Sequence, residues 1–86
     1  MAHSIEIAPA ARRQLKKLDQ PARRRTARRI DSLASDPRPE GVVKLTDVSP
    51  PLVRVREGDS RIVYAIHDDR LVDLVVRVAH RSQVDR

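Results

Sequence analysis

Apolar and polar residues alternate at the start of the chain. Ile5 and Ile7 are separated by Glu6 and preceded by Ser4, which is the period of a strand. The period changes at Pro9, a residue suited to the first turn of a helix. From there Ala8, Ala11, Leu15 and Leu18 fall at helical spacing, with Arg12, Arg13, Lys16 and Lys17 on the other faces. This predicts a helix that ends near Asp19. Gln20-Pro21 restarts the pattern: Ala22, Thr26, Ile30 and Leu33 form a second apolar line, and Arg23, Arg24, Arg25, Arg28 and Arg29 cover the rest. Pro37 and Pro39 in "SDPRPEG" (35–41) stop this helix. Two helices joined by so short a connection pack as an antiparallel hairpin.

The second half reads as strands. "VVKLT" (42–46) is short and irregular, and Pro50-Pro51 marks a strand start or a sheet edge. "LVRVR", "RIVYAI" and "LVDLVVRVA" follow, with turn chemistry at "EGDS" and "HDDR". Consecutive strands joined by tight turns are antiparallel. The order gives an α+β fold: an N-terminal strand, an antiparallel helical hairpin, then three antiparallel strands in a small, mainly antiparallel sheet. Neither repeats nor linkers break it, so residues 1–86 read as one domain.

The central hairpin can be registered. A two-residue Gly58-Asp59 loop pairs Glu57 with Ser60, Arg56 with Arg61, Val55 with Ile62 and Val53 with Tyr64. Side chains alternate across a strand, so Val53, Val55, Ile62, Tyr64 and Ile66 share the face that meets the helices. Arg54, Arg56, Arg61 and Val63 share the other. Carried into the last strand with the same strict alternation, Val72, Leu74, Val76 and Val78 fall on the core face. Asp73, Val75, Arg77 and Arg81 then fall on the arginine face.

Composition sharpens this picture. There is no Trp, Phe or Cys and a single Tyr, Tyr64, so the core is aliphatic, and disulfides, thiolate metal sites and a cysteine nucleophile are excluded. Lys plus Arg is 18 against 12 for Asp plus Glu, a net charge of +6. A small domain this basic meets a polyanion or an acidic partner. The first residues lack the apolar run of a signal peptide. "LVDLVVRVA" (71–79) is too short to cross a bilayer, so no membrane role and a cytoplasmic location are expected.

Like charges opposite one another weaken a sheet, and Asp73 is the only carboxylate in phase with the arginines. An external anion would relieve the repulsion. Clustered guanidiniums, with their planar forks, favour a phosphate over a merely solvated and screened basic face. Arg77 extends the cluster. Lys16, Lys17, Arg24 and Arg28 on the helices are further candidates for contacts to an RNA backbone. His80 is a candidate for proton transfer near neutral pH, or else a partly buried strand-end residue in phase with Val78. His3 and His67 read as structural.

Taken together, "LVRVREGDSRIVYAI" (52–66) and "RVAHRSQVD" (77–85) resemble the second half of RelE-type toxins of the RelE/ParE superfamily. "APAARRQLKKLD" (8–19), "LASDPRPEG" (33–41) and Lys44-Leu45 agree with the first half. The resemblance implies a sheet curved against a helical hairpin, with a concave basic face. In the RelE branch that face cuts messenger RNA in the ribosome without a metal or other cofactor. The ribose 2′-hydroxyl attacks the adjacent phosphate. Arg54, Arg56, Arg61 and Arg81 match the family's basic catalytic positions, Arg61 and Arg81 as phosphate contacts and Arg54 and Arg56 as positioning groups.

The resemblance also implies a cognate antitoxin of the RelB type with an acidic segment, and operator DNA bound only through that antitoxin. Two departures stand out. Ser60 replaces a frequent Tyr, and Asp85 replaces a terminal Tyr that stacks on a base; a carboxylate can accept a proton but cannot stack. Two other readings follow from the family: a ParE-like inhibitor of DNA gyrase, and a catalytically weakened member that only binds its antitoxin.

Overall fold

The computed structural model describes residues 2–80. The chain runs β1 (Ser4–Ile7), α1 (Pro9–Lys16), α2 (Gln20–Ser32), β2 (Val43–Lys44), β3 (Leu52–Glu57), β4 (Ser60–His67) and β5 (Val72–His80). The strands form one sheet in the order β1-β5-β4-β3-β2. All neighbours are antiparallel except β1 and β5, which pair in parallel from Ser4↔Val72 to Ile7↔Val75. Helix α1 packs on β5, and α2 packs on β4 and β3. The α+β class read from the sequence is the class observed.

Cap chemistry sets the helix boundaries. Apolar spacing carries α1 to Asp19, but the helix ends at Lys16 with Lys17 as its C-cap. Asp19 instead opens α2, where its Oδ1 accepts a hydrogen bond from the Ala22 amide at 2.9 Å. Such a cap satisfies one of the orphan amides of a helix start. Leu18 remains buried in the turn between the helices, which is why spacing alone overran the end. The apolar line Ala22, Thr26, Ile30 and Leu33 is buried as its spacing requires.

The β3–β4 hairpin has the register expected from its turn, with Arg56 opposite Arg61 and Val53 opposite Tyr64. Gly58 has φ +58°, as the first position of a type II′ turn requires. Val53, Val55, Ile62, Tyr64 and Ile66 are buried against the helices. Tyr64 is 0% exposed, and its hydroxyl donates to the Pro37 carbonyl at 2.7 Å. That bond fastens the proline-containing connection onto the sheet, and burial pushes the phenol up to about 12. A Tyr64→Phe protein should lose about 1–2 kcal/mol in urea unfolding, because the carbonyl is left without its donor.

Strand β5 corrects the sequence reading. Val63 pairs with Arg77 but Tyr64 pairs with Val75, so Val76 is an extra residue with no partner on β4. A bulge of this kind shifts the side-chain phase by one. Val75 (0% exposed) and Asp73 (0%) therefore face the helices together with Val78 (1%). Val72 and Leu74 take the opposite face. "LVDLVVRV" is apolar in both phases, so alternation could not reveal the shift. Arg77 stays on the arginine face because it follows the bulge.

Asp73 is thus not a carboxylate of the arginine face. Its Oδ1 lies 2.8 Å from His3 Nδ1, and the His3 side chain is itself 8% exposed. Burial raises the Asp73 carboxyl above its ordinary range, with the His3 hydrogen bond opposing. The native state then holds this proton more tightly than the unfolded chain does. The contribution of Asp73 to stability is full below the ordinary carboxylate value of roughly 4. It is lost as pH rises through the raised value. Asp73→Asn keeps a hydrogen-bonding amide beside His3 and removes the buried charge. Its stability relative to the parent should therefore climb as pH rises from roughly 4 toward neutrality, as chemical denaturation at stepped pH would show.

Candidate nucleic-acid interface

The hairpin and the bulge together build the site. Alternation places Arg54 of β3, Arg61 and Val63 of β4, and Arg77 and Ala79 of β5 on the sheet face away from the helices. Val63 lies between Arg54 on one neighbour and Arg77 on the other. Those two arginines stand two strands apart, about 10 Å between backbones. Arg61 is two residues along β4 on the same face. Leu45, just past β2, completes the lining of a pocket of about 210 Å³ whose other walls are Arg54, Arg61, Val63, Arg77 and Ala79. Three arginines and three aliphatic residues thus share the lining.

The electrostatics are unbalanced. Among the described residues, no carboxylate lies within ion-pair distance of Arg54, Arg56, Arg61 or Arg77. The ion pairs present are elsewhere, as in the bidentate Arg38–Asp68 pair at 3.2 and 2.7 Å. Arg54 is half-buried, and its Nε is buried with no hydrogen-bond partner among the described residues. Arg56 sits directly across from Arg61 and is exposed. An unpaired buried donor beside three other cations is a costly arrangement in water, and an anion bound between them removes the cost. A larger hollow of about 440 Å³ lies at the other end of β4, between residues 49–51 and 66–69, and has no arginine in its lining.

The remaining candidates fall in different places. Register puts His80 opposite Ser60, on the face that carries Val78 and Ile62 rather than the arginine face. Lys16, Lys17, Arg24 and Arg28 are exposed on α1 and α2, which cover the core face of the sheet, so they form a second basic surface apart from the pocket. Arg12 with Lys16, Arg13 with Lys17, Arg24 with Arg28, and Arg25 with Arg29 are like-charge pairs four residues apart, each unfavourable to an isolated helix. Arg81 and Asp85 lie outside the described residues. His3 is structural, through Asp73. Leu45 was not foreseen, because a two-residue strand offers too short a pattern to read.

A family model described as "ParE toxin of type II toxin-antitoxin system, parDE" matches residues 5–85. The chain belongs to this toxin family, within the RelE/ParE superfamily. Solved members share the fold. The RelE–RelB complex from Pyrococcus horikoshii OT3 is similar with a TM-score of 0.85 at 25% identity, over 98% of this chain and 100% of that one. The RelBE2 toxin–antitoxin complex of Mycobacterium tuberculosis is similar at 0.82 and 23% identity, over 94% and 100%. The isolated E. coli RelE toxin gives 0.77 and 21%, over 92% and 84%. No curated protein matches the sequence. Among the described residues of this toxin-family chain, no helix is long and apolar enough to cross a membrane.

Proposed function

We propose that this chain is the ribonuclease toxin of a type II pair, cleaving messenger RNA on the ribosome. The observation that carries the proposal is the pocket formed by Arg54, Arg61 and Arg77, with no carboxylate among its described lining residues. In the reaction a 2′-oxygen–phosphorus bond forms and the phosphorus–5′-oxygen bond breaks. The 2′-hydroxyl loses its proton and the departing 5′-oxygen gains one. Negative charge gathers on the phosphoryl oxygens between these events, and preorganised guanidiniums in a partly dry pocket stabilise it. Arg61 and Arg77 are placed to contact those oxygens, and Arg54 Nε has its donor free among the described residues. Arg56 holds the neighbouring phosphate, and the family resemblance gives Arg81 a phosphate contact as well.

The described pocket contains neither imidazole nor carboxylate. The cluster therefore supplies charge stabilisation rather than proton transfer. Asp85 and His80 are the chain's own candidates for the proton. Dependence on the ribosome follows, because holding the messenger with its 2′-oxygen in line removes the part of the barrier that the toxin does not address. A cognate antitoxin, as present in the Pyrococcus and Mycobacterium complexes, silences the chain by laying an acidic segment over the arginines. The site of action is the cytoplasm.

A second reading has a specific observation behind it. The matching family model is that of ParE toxins, and the only aromatic residue, Tyr64, is sealed in the core. No aromatic among the described residues is therefore available to stack on a base, which suits a gyrase-directed toxin without RNA chemistry. Inducing the chain in bacteria and mapping new 5′ ends on messenger RNA separates the two. Growth arrest with cuts inside translated frames is the expected result. Arrest without cuts, accompanied by gyrase trapped on DNA, would establish the second reading instead.

A further inference from the structure

The arginine pocket has one wall that phosphate chemistry does not explain. Leu45 lines it while 43% exposed, and Val43, one alternation step earlier on the same edge, is 42% exposed. Val43 pairs with Arg54, and the Leu45 amide donates to the Leu52 carbonyl at 2.7 Å. Both side chains therefore rise on the arginine face, at the sheet edge beside Arg54. Lys44, between them, takes the core face. Two aliphatic side chains left open to water beside a cluster of cations suit neither a simple anion nor a simple apolar ligand.

Building on the reading of the pocket as an RNA site, we propose that Leu45, supported by Val43, is the wall against which the base of the bound nucleotide lies. A nucleotide joins an anion to a flat apolar face at the distance of one ribose, and the pocket offers the same pair of chemistries side by side. Its volume of about 210 Å³ is below the roughly 300–1,000 Å³ of ordinary small-molecule sites. A space of that size seats a phosphate with part of its ribose and leaves the base to lie along the open edge. A docked amphipathic helix instead needs a groove with anchors at successive turns. With the single tyrosine used to hold the 37–39 connection, the edge of the sheet supplies an aliphatic surface where RNA-binding proteins commonly place an aromatic one. Leu45 is then a positioning residue for the substrate. It acts on binding through the base, while the arginines act through the phosphate.

The test is binding of two fluorescent single strands of equal length, an ordinary RNA and an abasic ribose–phosphate oligomer, to the purified protein at low salt. The parent should bind the ordinary RNA more tightly than the abasic one. Leu45→Ser, at an exposed edge position where folding is checked by circular dichroism, should weaken the ordinary RNA by about five- to tenfold, the scale of the apolar area lost. It should leave the abasic strand unchanged. Arg61→Ala should weaken both strands. Equal loss for both strands in Leu45→Ser, or no loss for either, overturns the base wall even if Arg61→Ala behaves as expected. If Arg61→Ala changes neither strand, the phosphate reading of the pocket fails, and the wall with it.

Discussion

Replacing Arg61 with alanine should lower messenger RNA cleavage by about 10²–10³-fold, the loss typical of one donor to a developing oxyanion. The protein should lose little or no stability. The register explains the contrast. Arg61 stands directly opposite Arg56 on the neighbouring strand, and like charges in that position repel by a few tenths of a kcal/mol. Relief of the repulsion offsets the packing lost when the half-buried aliphatic stem is removed. Urea midpoints should therefore agree closely while cleavage in a purified translation system collapses. Arg61→Lys retains the charge but not the planar fork and should fall between the two. A well-folded Arg61→Ala protein that cuts at the parental rate would remove Arg61 from the phosphate site.

Placing an aspartate at Val75 should abolish cooperative thermal unfolding, while the same change at Val76 should cost little. Val75 is buried and faces the helices, whereas Val76 is half-exposed and has no partner on β4. Fully burying a valine is worth about 1.5–3 kcal/mol, and an unpaired carboxylate left in the core adds a larger desolvation penalty. Against a total of about 5–15 kcal/mol for a small domain, Val75→Asp should leave no stable fold. Deleting Val76 joins Val75 directly to Arg77 and keeps Val75 inward, Arg77 outward and Val78 inward, so the deletion should still unfold cooperatively. Strict alternation through the intact β5 predicts the opposite outcome for the two aspartates. A Val76→Asp protein that does not fold beside a Val75→Asp protein that melts like the parent would show that the bulge does not set the phase of β5.

That bulge also marks where sequence reading stopped. The β3–β4 hairpin was legible because three signals agree on one register: the Gly58 turn, the alternating valines and isoleucines, and the arginines between them. The α2 face was legible because Ala22, Thr26, Ile30 and Leu33 sit on one line and the cations on the rest. In β5 the signal is degenerate, since a valine run satisfies either face and nothing local declares an inserted residue. Asp73 looked like an outward carboxylate because its partner, His3, is separated by seventy residues and is brought to it only by the β1–β5 pairing. The arginine pocket was legible through Arg54, Arg61 and Arg77. Leu45 was not, because its place depends on a pairing of only two residues, and the placement of His80 opposite Ser60 depends on where the bulge falls.

Strand order carries a consequence for when this protein can become active. β5 follows the other described strands in the chain, yet it lies between β1 and β4. The first strand therefore waits, unpaired, until β5 has been synthesised and released from confinement. Contacts this distant in sequence form slowly, since loop closure precedes any gain from pairing. Arg77 enters the pocket only at that step. A nascent chain short of β5 has neither a closed core nor a complete set of arginines. The arginine site is thus assembled late, and a partner that covers it has the interval of late folding in which to meet the chain.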